Sequence, residues 1–334
     1  MRSPLRPVVG FACALALAVT GCSTAAESTA RTPARTPTPS PGHSLAYAPY
    51  VGATDVAGTD AAGSPTTYNL AFVISGGKGC TPKWNGTEAV ADSAVTSRIS
   101  ALKKNGATVR VSFGGASGTE LAAACDSVTE LAAAYAEALD AAGSSQADFD
   151  IEGDELADSA SVALRSQAIA RLQKERPDLE VTFTLPVMPS GLDADGLALL
   201  ESANTYDVQV ATVDLMTMNY GESYDGDMGD YALASAEAAH TQLKKVFGLT
   251  DAGAWQGMAL TSMIGVNDVA GETFTLSDAA RVRAFAAEKG IAWVSMWSAF
   301  RDRACAEGSS GKAASTDCSG VAQRDGAFAK AFSD

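Results

Sequence analysis

The chain has 334 residues, with 39 Asp and Glu against 24 Lys and Arg, 2 His, and a net charge of -15 at pH 7. The negative charge argues against a nucleic-acid partner, because phosphate binding requires a basic surface. His43 lies in a Pro-, Ser- and Thr-rich tract, so His240 is the one histidine of the folded part and a His-rich metal site is excluded. We expect no metal and no cofactor. Carboxylates remain, and an enzyme of this composition would use them for acid–base chemistry.

The N-terminal 44 residues predict export followed by a tether. Two arginines precede an apolar run over 8–19, which is too short to span a bilayer and is typical of a signal peptide over 1–21. Cys22 follows in a sequence similar to the bacterial lipobox, in which this cysteine carries lipid; an ordinary secretory signal is the alternative. Residues 22–44 lack large apolar side chains and predict an extended tether. We expect the protein on the extracellular face of the cell membrane, held by lipid alone, or secreted.

Short apolar runs alternate with helical patterns over residues 45–334, which we take as one domain. The runs are 45–53, 68–75, 108–115, 147–153, 180–188, 213–221, 257–265 and 291–299. Helices are predicted over 127–142, 159–175, 230–247 and 277–289, the last capped by Ser277-Asp278 and ended by Gly290. Near-continuously apolar strands between helices favour an α/β fold with a single (β/α)8 TIM barrel of about 290 residues. An open doubly wound sheet is the alternative, but its glycine-rich nucleotide turn is missing.

Four cysteines belong to this domain: Cys80, Cys125, Cys305 and Cys318. An even number in an exported chain favours disulfides. Three pairings are possible. The strand map favours Cys80–Cys125, which follow neighbouring strands two and three, and Cys305–Cys318, which close a short loop after strand eight. A site of four thiolates around zinc is the alternative, but no Cys-x-x-Cys pair supports it.

The fourth apolar run ends in an acidic string, Asp148-Phe149-Asp150-Ile151-Glu152. Strand alternation puts the three carboxylates on one face and the two apolar side chains on the other. If the carboxylates face a barrel mouth, they cannot all ionise cheaply, so at least one pKa must rise. A proton held on the outermost carboxyl, Glu152, is what a general acid requires. A calcium loop or a solvated acidic turn is the alternative, although calcium ligands usually stand among Gly, Asn and Asp.

This string resembles the DxDxE signature of glycoside hydrolase family 18, the chitinase family. SFGG at 112–115 resembles the family's SxGG motif, and MTMNY at 216–220 resembles its MxY segment. Trp297 ends the eighth run, where the family keeps the floor of its substrate pocket. Together with DFDIEG, three further segments are similar to a bacterial and archaeal subgroup: 47–50, 80–84 and 263–268. The resemblance extends from residue 45 to the end.

The resemblance implies a chitinase that acts on β-1,4-linked N-acetylglucosamine, in chitin or chitooligosaccharides, with retention. Glu152 would protonate the glycosidic oxygen, and the substrate's own acetamide oxygen would attack the anomeric carbon to form an oxazolinium ion. Asp150 would turn from Asp148 toward the acetamide N–H and stabilise the cation. Ser112 would support Asp148 from behind. Tyr220 would hydrogen-bond the acetamide oxygen.

Further side chains are candidates for contact with the sugar. They are Trp297, Ser112, Gly114, Met218, Asn219 and Trp84. Trp84 could equally pack its own loop, and Asn267 and Asp268 are weaker candidates after the seventh run. His240 is expected to be structural.

Three positions depart from the family pattern. Ser145 stands where the longer pattern has Asp, Asn219 where close relatives often have Asp, and Gly221 where Asp often follows the Tyr. We expect these changes to alter the pH profile or the sugar contacts without removing the acid. A catalytically inactive chitin-binding lectin and an endo-β-N-acetylglucosaminidase are the alternative functions. We expect a monomer.

Overall fold

The computed structural model describes residues 45–77, 79–306 and 313–334. The predicted signal, the tether and Cys22 lie outside these ranges. The main sheet contains β1 (Ala46–Tyr47), β2 (Tyr50–Gly52), β3 (Thr67–Ser75), β4 (Pro82–Trp84), β5 (Glu88–Ala89), β6 (Thr108–Gly114), β7 (Gln146–Asp150), β8 (Glu180–Pro186), β9 (Val210–Met216), β10 (Met258–Met263) and, after the small hairpin β11 (Gly265–Val266) and β12 (Thr273–Phe274), β13 (Trp293–Trp297).

The helices follow the parallel strands. They are α1 (Ser93–Lys103), α2 (Leu121–Ala124), α3 (Val128–Ala142), α4 (Asp154–Ala157), α5 (Ser159–Glu175), α6 (Ala194–Thr205), α7 (Met228–Phe247), α8 (Asp251–Gln256), α9 (Leu276–Lys289) and α10 (Ala327–Ser333). The predicted helices correspond to α3, α5, α7 and α9. The sequence pattern missed α1 and α6. In α1, Ser, Thr and β-branched residues have low helix propensity, so its helical signal is weak.

The cap of α9 differs from the prediction. Thr275, not Ser277, is the N-cap: its hydroxyl accepts the Asp278 N–H at 3.3 Å, and the Asp278 carboxylate accepts the Thr275 N–H at 2.7 Å. This reciprocal capping box starts the helix at Leu276. Gly290 ends it in the left-handed conformation, as predicted.

Parallel strands pair in chain order from β3 through β6, β7, β8, β9 and β10 to β13. The N-terminal segment pairs with both ends of this series, because β1 pairs with β13 and β2 pairs with β3. The arrangement is the predicted α/β type, with strand neighbours in sequence order rather than the order of a doubly wound sheet. No helix separates β2 from β3, where residues 53–66 form turns and loop.

The outward faces of the strands pack against the helices. Phe113 and Phe149 stack at 5.3 Å between ring centroids, and Tyr135 of α3 meets them edge-on at 4.8 and 5.0 Å. Phe183 continues this aromatic layer on β8. Burial of Phe149 on the helix side leaves Asp148 and Asp150 on the interior side, as strand alternation predicts.

Both predicted disulfides are present, Cys80–Cys125 and Cys305–Cys318. The first joins the loop after β3 to the end of α2, and the second closes the loop that follows β13. In the ranges that the structure describes, no helix is long and apolar enough to cross a membrane, and no three His, Cys, Asp or Glu side chains are grouped to hold a metal ion.

Candidate active site

A cavity opens at the carboxyl ends of the parallel strands, where barrel enzymes carry their chemistry. Side chains at or after the ends of β2, β3, β7, β8, β9, β10 and β13 line it, and β6 contributes through the loop that follows. Its lining residues are Tyr50, Phe72, Ala116, Asp150, Glu152, Thr184, Met216, Met218, Asn219, Thr261, Asp268 and Trp297. The cavity therefore combines three carboxyl groups, Asp150, Glu152 and Asp268, with an aromatic wall of Tyr50, Phe72 and Trp297.

Asp148 lies beneath this cavity and is 1% exposed. Three hydroxyls donate to its carboxylate: Ser112 at 2.7 Å and Tyr50 at 2.9 Å to Oδ2, and Thr184 at 2.7 Å to Oδ1. Burial raises the pKa of Asp148, while the hydroxyl donors and the Arg110 guanidinium oppose that rise. Its position means that Asp148 acts on Asp150 above it rather than on a sugar.

Asp150 and Glu152 form a coupled pair at the cavity. Burial, followed by the charge of Glu152, raises the pKa of Asp150 well above its ordinary value. Burial also raises the pKa of Glu152, and the negative charge of Asp268 adds to the rise. The hydrogen bond between Asp150 and Glu152 raises the pKa of Asp150 and lowers that of Glu152. The two carboxyl groups therefore share a proton at the cavity instead of both being ionised.

An aromatic wall faces the carboxyl pair. Trp297 and Phe72 stack with their ring centroids 5.5 Å apart, and Tyr50 meets Trp297 edge-on at 5.8 Å. Such faces suit the apolar side of a sugar ring. Trp297 is where the sequence predicted it. Phe72 was missed, because within the apolar run of β3 nothing distinguishes it from a core residue.

The loops after β9 and β10 also line the cavity and contact each other there. Asn219 and Asp268 bond reciprocally there, and Met218 lies beside them. Below the surface, the buried Glu272 accepts the N–H of Gly221 at 2.8 Å through Oε1. This carboxylate fixes the position of the loop that carries Met218 and Asn219. Asp268 was a weak candidate in the sequence, and Glu272 was not a candidate.

Comparison with known proteins places this geometry in context. The chain is 36% identical over 275 residues to a probable bifunctional chitinase/lysozyme of Escherichia coli strain K12, and 34% identical over 274 residues to endochitinase 11 of Metarhizium anisopliae. Each alignment covers 77% of this chain, but 31% and 52% of the respective relative. The chain thus spans about a third of the first curated relative and about half of the second. No protein-family model matches it.

Solved structures agree with the sequence relatives. The catalytic domain of a hyperthermophilic chitinase from Pyrococcus furiosus superposes with a TM-score of 0.76 at 27% identity, covering 86% of this chain and 93% of that one. A family 18 chitinase from Pseudoalteromonas aurantia shares the fold alone, with a TM-score of 0.55 at 13% identity over 76% of this chain and 93% of its own. The chain is thus similar in sequence and in fold to chitinases.

One predicted site residue lies away from the cavity. Tyr220 is 4% exposed, and its ring packs at 5.9 and 5.8 Å from those of Tyr224 and Tyr231. Asn219 adopts a left-handed φ of 54°, which turns the chain so that Met218 and Asn219 line the cavity while Tyr220 points toward α7. Tyr220 therefore does not line the cavity, and its predicted contact with an acetamide oxygen stays a prediction.

Trp84 is also misplaced by the sequence interpretation. It is 0% exposed on β4, and its Nε1–H donates to the Val90 carbonyl at 3.3 Å. The alternative that it packs its own loop is correct. The reason is the hairpin of β4 with β5, which turns the indole into the core and away from solvent.

Ser112 and Gly114 do not line the cavity and support the candidate site from behind. Ser112 is fully buried and holds Asp148. Gly114 has a φ of 97°, and a Cβ there would collide with the Asp150 carbonyl oxygen. Glycine is required because β6 must approach β7 closely at this point. His240 is structural: it is buried and stacks on Trp255 at 4.0 Å.

Proposed function

We propose that this protein is a chitinase that hydrolyses β-1,4 linkages between N-acetylglucosamine units. The observation that carries the proposal is the pair of Asp150, at the end of β7, and Glu152, just after it, whose raised pKa values and shared cavity with Trp297 combine a proton donor with an aromatic surface. A group that holds a proton near the operating pH beside a sugar-binding surface is a general acid for glycoside cleavage. The same pair favours the enzyme over a lectin, which needs the wall but no proton donor.

The reaction that we propose proceeds with retention through the substrate's own acetamide. Glu152 gives its proton to the glycosidic oxygen as the bond from that oxygen to the anomeric carbon breaks. The acetamide oxygen then bonds to that carbon, and Asp150, now ionised, stabilises the positive oxazolinium ring. Water then attacks the same carbon, the bond from that carbon to the acetamide oxygen breaks, and one proton of the water passes to Glu152, which restores the enzyme.

A polar partner for the acetamide oxygen is still required, because Tyr220 does not reach the cavity. We assign this part of the site to the Asn219–Asp268 pair, which lines the cavity at the end of β9 and β10. The amide N–H of Asn219 can supply the hydrogen bond that the phenol does not.

Hydrolysis of N-acetylglucosamine oligomers tests the proposal. We expect wild-type turnover, with the β-anomer as the first product by proton NMR, and loss of at least about 100-fold in Glu152→Gln, as for removal of a general acid. Glu137→Gln is the matched control, since Glu137 is exposed on α3. Wild-type binding without turnover would favour the lectin. Equal turnover by Glu152→Gln would remove Glu152 from its role, and release of the glycan core from glycoproteins alone would favour the endo-β-N-acetylglucosaminidase.

We also propose that the chain belongs to the DFDIEG-bearing subgroup and is exported, cleaved before Cys22 and anchored by lipid on that cysteine. Two disulfides in the folded part are consistent with an oxidising compartment. Residues 22–44 would then act as the tether between lipid and enzyme. Wild-type protein should partition into a detergent phase and Cys22→Ala into the aqueous phase. Aqueous partition of both would contradict the anchor and favour simple secretion.

A further inference from the structure

A carboxyl group that the mechanism does not use lies directly below the cavity. Asp214 of β9 is 1% exposed. The Thr261 hydroxyl donates to its Oδ2 at 2.7 Å, and the Trp293 indole N–H lies close enough to lower the pKa of Asp214. Thr261 itself lines the cavity, as does Met216, two residues further along β9. Asp214 is therefore one side chain removed from the substrate space.

Asp214 shares a row of the sheet with the catalytic carboxyls. Thr184 of β8 is the register partner of Asp150 on one side and of Asp214 on the other. The Thr184 hydroxyl donates to Asp148 Oδ1. Each of the two interior carboxyls, Asp148 and Asp214, is thus held by a threonine whose other surface lines the cavity.

The interior around Asp214 has too little positive charge to balance Asp148 and Asp214 if both are ionised. The groups that face it are Asp148 from β7, Arg110 from β6, Trp293 from β13 and Thr261 from β10, and its charge also reaches Tyr50 and Asp150. Among them Arg110 is the one cation. It donates to Asn69 at 2.7 Å and lies 4.1 Å from the Trp293 ring centre.

Two buried carboxyls that share one guanidinium cannot both ionise at low cost. Asp148 has three hydroxyl donors to stabilise its charge and Asp214 has one. Asp214 is therefore the group that keeps the proton. In agreement, burial raises the pKa of Asp214 to about 7, and the charge of Asp148 contributes to the rise.

We propose that Asp214 is a positioning residue that holds a titrating proton beneath the active site. It thereby sets the pH up to which the Asp150–Glu152 pair keeps its own proton. This inference rests on the proposed glycoside hydrolysis. When Asp214 loses its proton, its negative charge opposes ionisation of Asp150. The catalytic pair then retains its proton at a pH where it would otherwise be lost, and activity extends to higher pH.

The pH dependence of kcat/KM on an N-acetylglucosamine oligomer tests the inference in Asp214→Asn. We expect the alkaline limb to move toward lower pH by about one unit, with the acid limb unchanged, because only ionised Asp214 acts on the pair. Val213→Ala is the control: it cuts a buried side chain on the same strand without a change of charge. It should lower the melting temperature and leave both limbs in place. Superimposable profiles for wild type and Asp214→Asn would overturn the inference.

Infrared spectroscopy separates this inference from the proposed function. We expect a neutral carboxylic-acid C=O band in the wild type that is lost between pH 6 and pH 8 and that is missing from Asp214→Asn. Asp214→Ser serves as the second variant if the amide prevents folding. Identical carboxylic-acid bands in wild type and variants would overturn the inference by itself. A wild type without turnover at any pH would overturn the proposed function, while the infrared band still decides whether Asp214 holds the proton.

Discussion

Asn219 and Asp268, in the neighbouring loops after β9 and β10, hydrogen-bond to each other where they line the cavity. The Asn219 amide Nδ2 donates to Asp268 Oδ2 at 3.3 Å, and the Asp268 backbone N–H donates to Asn219 Oδ1 at 3.1 Å. The pair joins the loop after β9 to the loop after β10, and the charge of Asp268 raises the pKa of Glu152. With an amide at position 219, Asp268 is the carboxylate of this pair that faces Glu152. An aspartate at position 219 would add a second carboxylate there.

Asn219→Asp tests this arrangement. The new carboxylate lies against Asp268 and faces Glu152, so we expect the pKa of Glu152 to rise and the alkaline limb of kcat/KM to move to higher pH. The reciprocal bond is also lost, because a carboxylate cannot donate to Asp268, and KM should rise. Asn204→Asp adds the same charge on the exposed surface of α6 and should leave the profile in place. An unchanged profile in Asn219→Asp would mean that this pair does not influence the acid.

Glu272→Gln addresses the support beneath the same loop. Glu272 accepts the backbone N–H of Gly221 through Oε1. Gln keeps an oxygen acceptor but not the charge, so we expect the free energy of unfolding to fall by about 1 kcal/mol, the difference between a charged and a neutral acceptor. Because the loop carries Met218 and Asn219, KM should increase more than kcat falls. Denaturant unfolding and initial-rate kinetics measure the two effects, and a fall in kcat at constant KM would contradict the assigned role.

Ser112→Ala removes one of the three hydroxyl donors to Asp148. The pKa of Asp148 should rise further, because a hydrogen bond to its ionised form is lost. We expect a decrease in kcat of about tenfold, equivalent to about 1.4 kcal/mol, with little change in KM, since Ser112 does not reach the cavity. Ser166→Ala is the matched control: Ser166 is buried and bonds Ser202 at 3.0 Å, away from the site. It should lower stability without lowering kcat.

Stability should fall with rising pH through the titration of Asp214. Its pKa in the folded protein is about 7, above the ordinary value of 3.8, so between these values the folded state binds more protons than the unfolded state. The stabilisation is fully present below pH 3.8 and is lost as the pH rises through 7. Its upper bound is about 4 kcal/mol. The difference in unfolding free energy between wild type and Asp214→Asn, measured from pH 4 to pH 8, should show this decline, and a flat difference would contradict it.

Local patterns in the sequence were sufficient for the strand order and for the acidic row. Asp148, Asp150 and Glu152 share a face because side chains alternate along any strand, whatever surrounds it. Likewise, the pairing of Cys80 with Cys125 follows once neighbouring strands are known, because their loops then leave the same end of the sheet. These features depend on short stretches of chain and on strand order.

Contacts between distant segments decided the rest. Tyr220 follows the residues that line the cavity, yet a left-handed turn at Asn219 directs it into the protein. Phe72 is one apolar residue in an apolar run, and only the position of Trp297 on a strand over 200 residues away makes it part of the cavity wall. Asp214 resembles any polar residue in a strand until the sheet places it beside Thr184 and Asp148 with a single arginine. The sequence by itself therefore determined which chemistry is present, and the tertiary structure decided which groups share charge and protons, because electrostatic coupling depends on distances between strands rather than on positions along one.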